Sequence, residues 1–172
     1  MTVRSIVPFP DPRLRQVAHT VTVFDGQLRL LAADITETMR LAPGIGMTAS
    51  HIGVAQRVYV LELPGDVQPQ TYVNPEITWL SDETAQNEEG SVSMPGVMEL
   101  VTRPCRVTVR YQDINGNEQL EHADGLRAIC HQHEIDQLNG LFWTQKLSSL
   151  RRNRLMARYK KLHTMKKVVE HT

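Results

Sequence analysis

The sequence predicts an α+β fold in which a helix packs against antiparallel strands. Three observations lead there. The elements run in the order helix, several strands, helix, helix. A stretch of alternating apolar and polar residues ends in Asn115-Gly116, a hairpin signal. A chain of 172 residues is most simply one domain, 1–172, long enough to bury a hydrophobic core.

Each element has a local reason. Pro8, Pro10 and Pro12 make the N-terminal arm extended and irregular. Asp25 is placed to N-cap a helix whose apolar face is Leu28, Leu31, Ala32, Ile35 and Met39. Pro43-Gly44 ends that helix, and Gly44-Ile45-Gly46 opens a glycine-punctuated loop. Val58 to Leu63 reads as a strand. Tyr72-Val73-Asn74-Pro75 with Ile77 to Leu80 reads as another, broken by its proline. Val101 to Tyr111 alternates around Val107 and Val109 and reads as a further strand. Asp124 is placed to cap a second helix running to about Leu138-Asn139-Gly140. Ser148 is placed to cap a third, with Leu150, Leu155, Leu162 and Met165 as apolar positions. No internal repeat, low-complexity tract or linker interrupts the chain.

Composition excludes several classes. No apolar run approaches the ~20 residues of a membrane span. No apolar stretch follows the first five residues, so no secretory signal is expected. Cys105 and Cys130 cannot build a disulfide framework, which points to a reducing cytoplasm; both read as small buried hydrophobes. The net charge of zero hides an asymmetry. Residues 148–172 carry eight bases and one acid, Glu170, for +7, which leaves the rest with eleven bases against eighteen acids, −7. An acidic body with a basic C-terminal helix implies either an anionic partner or a helix folded back on the body.

The most chemical segment is His133-Glu134-Ile135-Asp136-Gln137. It is the zinc-hydrolase helix motif H-E-x-x-H with the second histidine replaced. In the intact motif two histidines four apart grip a metal from one helical face, and the glutamate moves a proton of the metal-bound water. Here one grip and the base are present, and the other grip is a neutral amide, a poor ligand beside imidazole or thiolate.

Two further segments extend the pattern: Gly44-Ile45-Gly46-Met47-Thr48-Ala49-Ser50-His51 and Glu89-Gly90-Ser91-Val92-Ser93. Together the three segments resemble, in order and separation, the G-x-G-φ-A-A-x-Q, E-G-C-φ-S and H-E-x-D-H motifs of the peptide deformylase family. Those enzymes remove the formyl group from the N-terminal formyl-methionine of new bacterial proteins. Pro10 to Arg15, Asn74-Pro75, Arg103, Asp124-Gly125 and Leu138-Asn139-Gly140 also look like family positions, so the likeness covers nearly the whole chain. It implies a deformylase-like fold with the altered H-E-x-x-Q motif on a central helix beside a cleft.

The departures fall on the functional positions. The resemblance assigns the metal to the cysteine of the second motif and both histidines of the third; this chain has Ser91, His133 and Gln137 there. Two of three ligands are changed, so the expectation is no cofactor, the alternative being one divalent metal, Fe or Zn. The resemblance makes Glu134 the general acid/base. It gives oxyanion stabilisation to His51 and the Val92 N–H, and substrate-backbone contacts to Gly46 and Arg103. The implied protein lacks ordinary deformylase activity and keeps a cleft for N-terminal peptides of nascent chains. The alternative hydrolase rebuilds its site from His51, His133 and Glu134; a third reading makes Ser91 a nucleophile beside a histidine. In the plainest reading His133 and Glu134 are structural survivors satisfied by Ser91 and Gln137, His131 is exposed, and Cys130 packs. For the basic helix, a solvated surface competes with a contact to ribosomal RNA, and a membrane surface comes second.

Overall fold

A computed structural model describes residues 2–169, with side chains described through residue 164. The expected apolar position Met165 and the tail residues Lys166, Lys167 and Glu170 lie outside the described side chains. The elements are α1 (Gly26–Leu41), β1 (Gly46–Thr48), β2 (Val58–Leu61), β3 (Gln70–Leu80), β4 (Thr84–Ser91), β5 (Met94–Pro104), β6 (Arg106–Gln112), β7 (Glu118–Asp124), α2 (Gly125–Leu138) and α3 (Ser149–Val169). Short 3-10 turns at Pro12–Arg15, Ala49–Ile52 and Trp143–Lys146 join them. The strands form a five-stranded antiparallel sheet in the order β1-β2-β3-β6-β7 and a separate β4-β5 hairpin. The mixed helix and antiparallel-sheet architecture is as expected, with α2 central: it packs against strands of both sheets.

A side-chain cap starts α1, whereas Asp124 stands at the N-cap of α2 without the expected side-chain capping bond. The Asp25 carboxylate accepts from the Gln27 and Leu28 N–H groups at 2.9 and 3.2 Å, satisfying donors the first turn of α1 leaves open. Leu28, Ile35 and Met39 then bury against Met47, Val58, Val60 and Val73. A second cluster joins α2, through Ala128, Ile135 and Leu138, to Tyr59, Leu61, Val107 and Val109 of the sheet. A third holds α3 on the hairpin, with Leu155 and Tyr159 against Met94, Val97 and Val101. Leu150 and Leu162, expected to be apolar anchors, are exposed; Tyr159 takes up that role. The Ser148 hydroxyl sits 3.4 Å from the Arg151 N–H at the start of the helix.

The strand readings need three corrections. Val101 to Tyr111 is two strands in two sheets, because the chain turns at Cys105 between β5 and β6. Pro75 does not break β3: the strand continues through a register shift between Val73 and Glu76. Asn74 takes φ +50 there, and its side chain bonds the Val21 backbone and Gln112, so the irregular residue remains paired. β4 carries no apolar alternation at all. Its one buried residue is a glutamate, Glu89, and cross-strand pairing with β5 makes it a strand.

Candidate functional site

Three segments distant in sequence converge on one cleft of about 630 Å³. One wall is the loop after α1 and strand β1, with Gly44, Gly46 and His51. The second is the β4-β5 turn, with Glu89, Ser91, Val92, Met94 and Val97. The floor is α2, with Ile129, Cys130, His133 and Glu134. β1 is an edge strand of the larger sheet, so the cleft borders a backbone edge.

Gly46 is required by the approach of α2. A Cβ there would sit 2.6 Å from Glu134 Oε1 and 2.9 Å from Leu61 Cδ2. Glu134 is thus pressed against β1 at 4% exposure, and its Oε2 has no hydrogen-bond partner among the described residues. Burial pushes its carboxyl up to about 7.

His133 is anchored from the hairpin. Its Nδ1 lies 2.8 Å from Glu89 Oε2. Burial alone would push the Glu89 carboxyl up; hydrogen bonds from His133 and Arg103 instead bring it down to about 2. The ionised Glu89 accepts from Nδ1–H, leaving Nε2 of the ring for the cleft. Burial works against charge on this imidazole, but the Glu89 bond and the nearby Glu134 outweigh it, and its pKa is raised.

His51 is held from behind. Its Nδ1 accepts the Thr48 backbone N–H at 3.1 Å, with the Thr48 hydroxyl 2.9 Å away. A backbone N–H can only donate, so the lone pair is on Nδ1 and the proton on Nε2. Burial, reinforced by the His133 charge, lowers this ring to about 3, so it is neutral. His51 therefore presents a fixed Nε2–H donor, and that nitrogen has no partner among the described residues.

The remaining expected residues lie elsewhere or are otherwise occupied. Gln137 is 2% exposed, does not line the cleft, and donates from Nε2 to the Leu14 carbonyl at 2.6 Å. Ser91 Oγ accepts from the Ser93 N–H at 3.1 Å. The expectation that Ser91 and Gln137 satisfy His133 and Glu134 is not met: Glu89 serves His133, and Glu134 keeps an orphan oxygen. Arg103 is 3% exposed and does not reach the cleft wall. Its Nε and Nη2 bond Glu89, and Nη1 bonds Asp136 at 2.8 Å; Lys146 lies 3.3 Å from the same Asp136. These residues form an ion network beneath His133.

His131 is fully buried rather than exposed. Its Nδ1 is 2.6 Å from the Tyr59 hydroxyl, and its ring meets Tyr72 edge-on at 4.9 Å. The face of α2 opposite the cleft is covered by the sheet, which a count along the helix alone does not reveal. Cys130 packs as expected, and burial pushes its thiol up to about 12. The partners Thr48, Glu89 and Asp136 were not legible as such. Their one signal is position, since each lies inside one of the three motifs, within three residues of an expected functional group.

As placed, Ser91, His133 and Gln137 do not fit a three-ligand metal centre: one donor is a hydroxyl already accepting a hydrogen bond, and another points away. Among the described residues no three His, Cys, Asp or Glu side chains are grouped to hold a metal.

The fold agrees with known proteins. A family model described as polypeptide deformylase matches residues 3–153. A peptide deformylase-like protein of Brucella melitensis is 60% identical over 94% of this chain and 99% of its own length. A peptide deformylase of Phenylobacterium zucineum is 44% identical over 94% and 97%. The crystal structure of a peptide deformylase from Legionella pneumophila superposes with a TM-score of 0.90 at 36% identity, covering 96% of this chain and 98% of that one. That of the Ehrlichia chaffeensis enzyme in complex with actinonin gives 0.88 at 38% identity, over 94% and 98%. The chain belongs to the peptide deformylase family.

Proposed function

We propose that this chain is a peptide-binding member of the family that does not carry out ordinary formyl-methionine hydrolysis. One observation carries the reading: two of the three positions that would hold the metal are Ser91 and Gln137, and Gln137 is committed to the Leu14 carbonyl. A neutral amide and a hydroxyl are weak donors for Fe or Zn. Glu134 then has no activated water to deprotonate. What remains suits binding: the edge of β1, the Val92 backbone in the facing turn and the His51 Nε2–H border one cleft. An extended peptide end adds to such an edge through backbone hydrogen bonds. The alternative, a metal rebuilt on His51, His133 and Glu134, needs a lone pair on His51 Nε2, and the Thr48 N–H disfavours that tautomer.

The partners assigned to this reading are N-terminal peptides of nascent chains and, through α3, ribosomal RNA, in a reducing cytoplasm. Arg151 and Arg158 are engaged by Glu99, at 2.7 and 3.3 Å. Arg152, Arg154, Lys160 and Lys161 bond no acid among the described residues, and an anionic partner suits them. No helix among the described residues is long and apolar enough to cross a membrane.

Elemental analysis and formyl-Met-Ala-Ser hydrolysis test the central claim. The expected result is well under one equivalent of metal and turnover near background. Stoichiometric metal removable by chelator, with turnover lost in Glu134→Ala, would overturn it. For α3, reversing Arg154, Lys160 and Lys161 to Glu should abolish salt-sensitive co-sedimentation with ribosomes. Unchanged pelleting refutes the RNA assignment.

A further inference from the structure

Helix α3 sets four cations in one stripe. Arg151, Arg154, Arg158 and Lys161 follow one another at spacings of three, four and three residues, with no acid among residues 149–164. An α-helix gathers such positions on one face, within an arc of about 80°. The buried line of the helix, Leu155 and Tyr159, packs on Met94, Val97 and Val101 of the hairpin. Arg151 and Arg158 form the edge of the stripe nearest that line, and Arg154 and Lys161 form the outer edge.

The two edges are occupied differently. Glu99 of β5 reaches both inner residues: Arg151 Nη2 donates to its Oε1 at 2.7 Å, and Arg158 Nη2 to its Oε2 at 3.3 Å. Arg158 also donates to the Met98 carbonyl at 3.1 Å. Arg154 and Lys161 form no ion pair among the described residues. The two arginines that Glu99 holds remain 36% and 56% exposed. Ion pairs this open to water are weak, and other anions compete with them. A phosphate resting on Arg154 has Arg158 as its neighbour one turn along, so the Glu99 pairs lie within reach of a strand laid along the outer edge.

The helix suits a linear polyanion better than a lipid surface. A helix that lies on a membrane sinks its own apolar face into it. The apolar line of α3 is already covered by the hairpin. An RNA backbone asks only for a row of cations. We propose, building on the RNA reading of α3 above, that Glu99 is an internal competitor of RNA. It occupies Arg151 and Arg158 in the free protein, and a strand anchored on Arg154 and Lys161 displaces it, so that all four cations of the stripe contact phosphate. The acid on β5 thereby keeps half of the stripe masked until a strand with several phosphates arrives.

Anisotropy of a labelled oligouridylate of ~12 nucleotides, titrated with the full chain from ~50 to ~200 mM salt, tests this. Arg151 and Arg158 changed together to Gln should flatten the salt slope by roughly 1.4, since each single-strand phosphate contact contributes ~0.7. Leu155 and Tyr159 still hold the helix in that variant, and its urea midpoint checks that they do. Glu99→Gln should bind about fivefold more tightly at the lowest salt, with nearly the wild-type slope, because the same contacts form without a competitor. Glu83→Gln removes an equal charge and frees Arg106, an arginine outside the stripe, so it should give less than about a twofold gain. An unchanged slope in the double arginine variant, or no gain in Glu99→Gln, overturns the masking and leaves the RNA reading standing. An equal gain in Glu83→Gln reduces the effect to net charge and also overturns it. If neither wild type nor any variant binds RNA at the lowest salt, the RNA reading falls and this proposal with it. Binding to phosphatidylserine vesicles in its place gives the stripe to a lipid surface.

Discussion

Replacing Glu134 with glutamine should make the protein more stable at alkaline pH, by an amount that grows with pH. The side chain is buried, one oxygen lacks a partner, and burial raises its carboxyl from 4.5 to about 7. The folded state therefore keeps its proton to higher pH than the unfolded chain does. The stability contributed by this group is full below pH 4.5 and is lost as pH rises through about 7. At about 1.4 kcal/mol per pH unit, the loss between those values is about 3 kcal/mol. Most of it falls between pH 5 and 8.5. Glutamine keeps the shape and cannot ionise. Urea unfolding of both proteins at pH 5, 7 and 8.5 isolates the effect, because every other titrating group cancels to first order in the difference. The stability gap, variant minus wild type, should widen by about 2–3 kcal/mol across that range. The imidazole of His133, which Glu134 helps to keep charged, should titrate at lower pH in the variant, visible in its ring nitrogen shifts. Parallel pH profiles for the two proteins would refute the argument and place solvent or a counter-ion at the carboxylate.

Further outcomes follow from the same geometry. Ser91→Cys with Gln137→His should raise bound metal toward one equivalent by elemental analysis, and either change alone should do much less, since ligands act as a unit. Gln137→His alone also frees the buried Leu14 carbonyl and should cost roughly 1–3 kcal/mol in denaturant unfolding. Leu155→Ala, at a fully buried position between α3 and the hairpin, should cost about 2–5 kcal/mol by the same assay.

The legible part of the molecule was what local chemistry and motif order encode. Asp25 caps α1 because a carboxylate answers the open N–H groups of a first turn, and that is written within three residues. The H-E-x-x-Q segment announced a helix and a base. The hairpin was hidden because β4 buries only Glu89: a strand with a polar inner face shows no period of two, and its partner ran straight into β6 across Cys105. His131 was misplaced for a related reason. A helix packed on both sides has no solvent face to predict, and only the sheet behind it shows that Tyr59 and Tyr72 enclose the ring. At the site, residue types were readable but directions were not. Nothing in the sequence says that Gln137 turns to Leu14, or that Thr48 fixes the proton on His51.

Arg103 is where sequence and geometry diverge most usefully, and its loss separates two roles. The resemblance gives it a peptide contact, whereas the structure engages its guanidinium with Glu89 and Asp136 under His133. A buried ion pair stripped of one member leaves an uncompensated charge, which typically costs about 3–5 kcal/mol. Arg103→Met should therefore destabilise the fold by about that much. Much of the loss should return in the double variant with Glu89→Gln, because the orphan charge is then removed as well. That coupling is the signature of an internal network, since a substrate-binding arginine would lower peptide affinity and leave stability nearly unchanged. The same pair tests the anchoring of His133. Without an ionised Glu89 to accept from Nδ1–H, the ring loses the bond that favours its charged form, and its pKa should fall in Glu89→Gln. If Arg103→Met unfolds at the wild-type urea midpoint while losing peptide binding, the guanidinium reaches the ligand and the network is not what holds His133 in place.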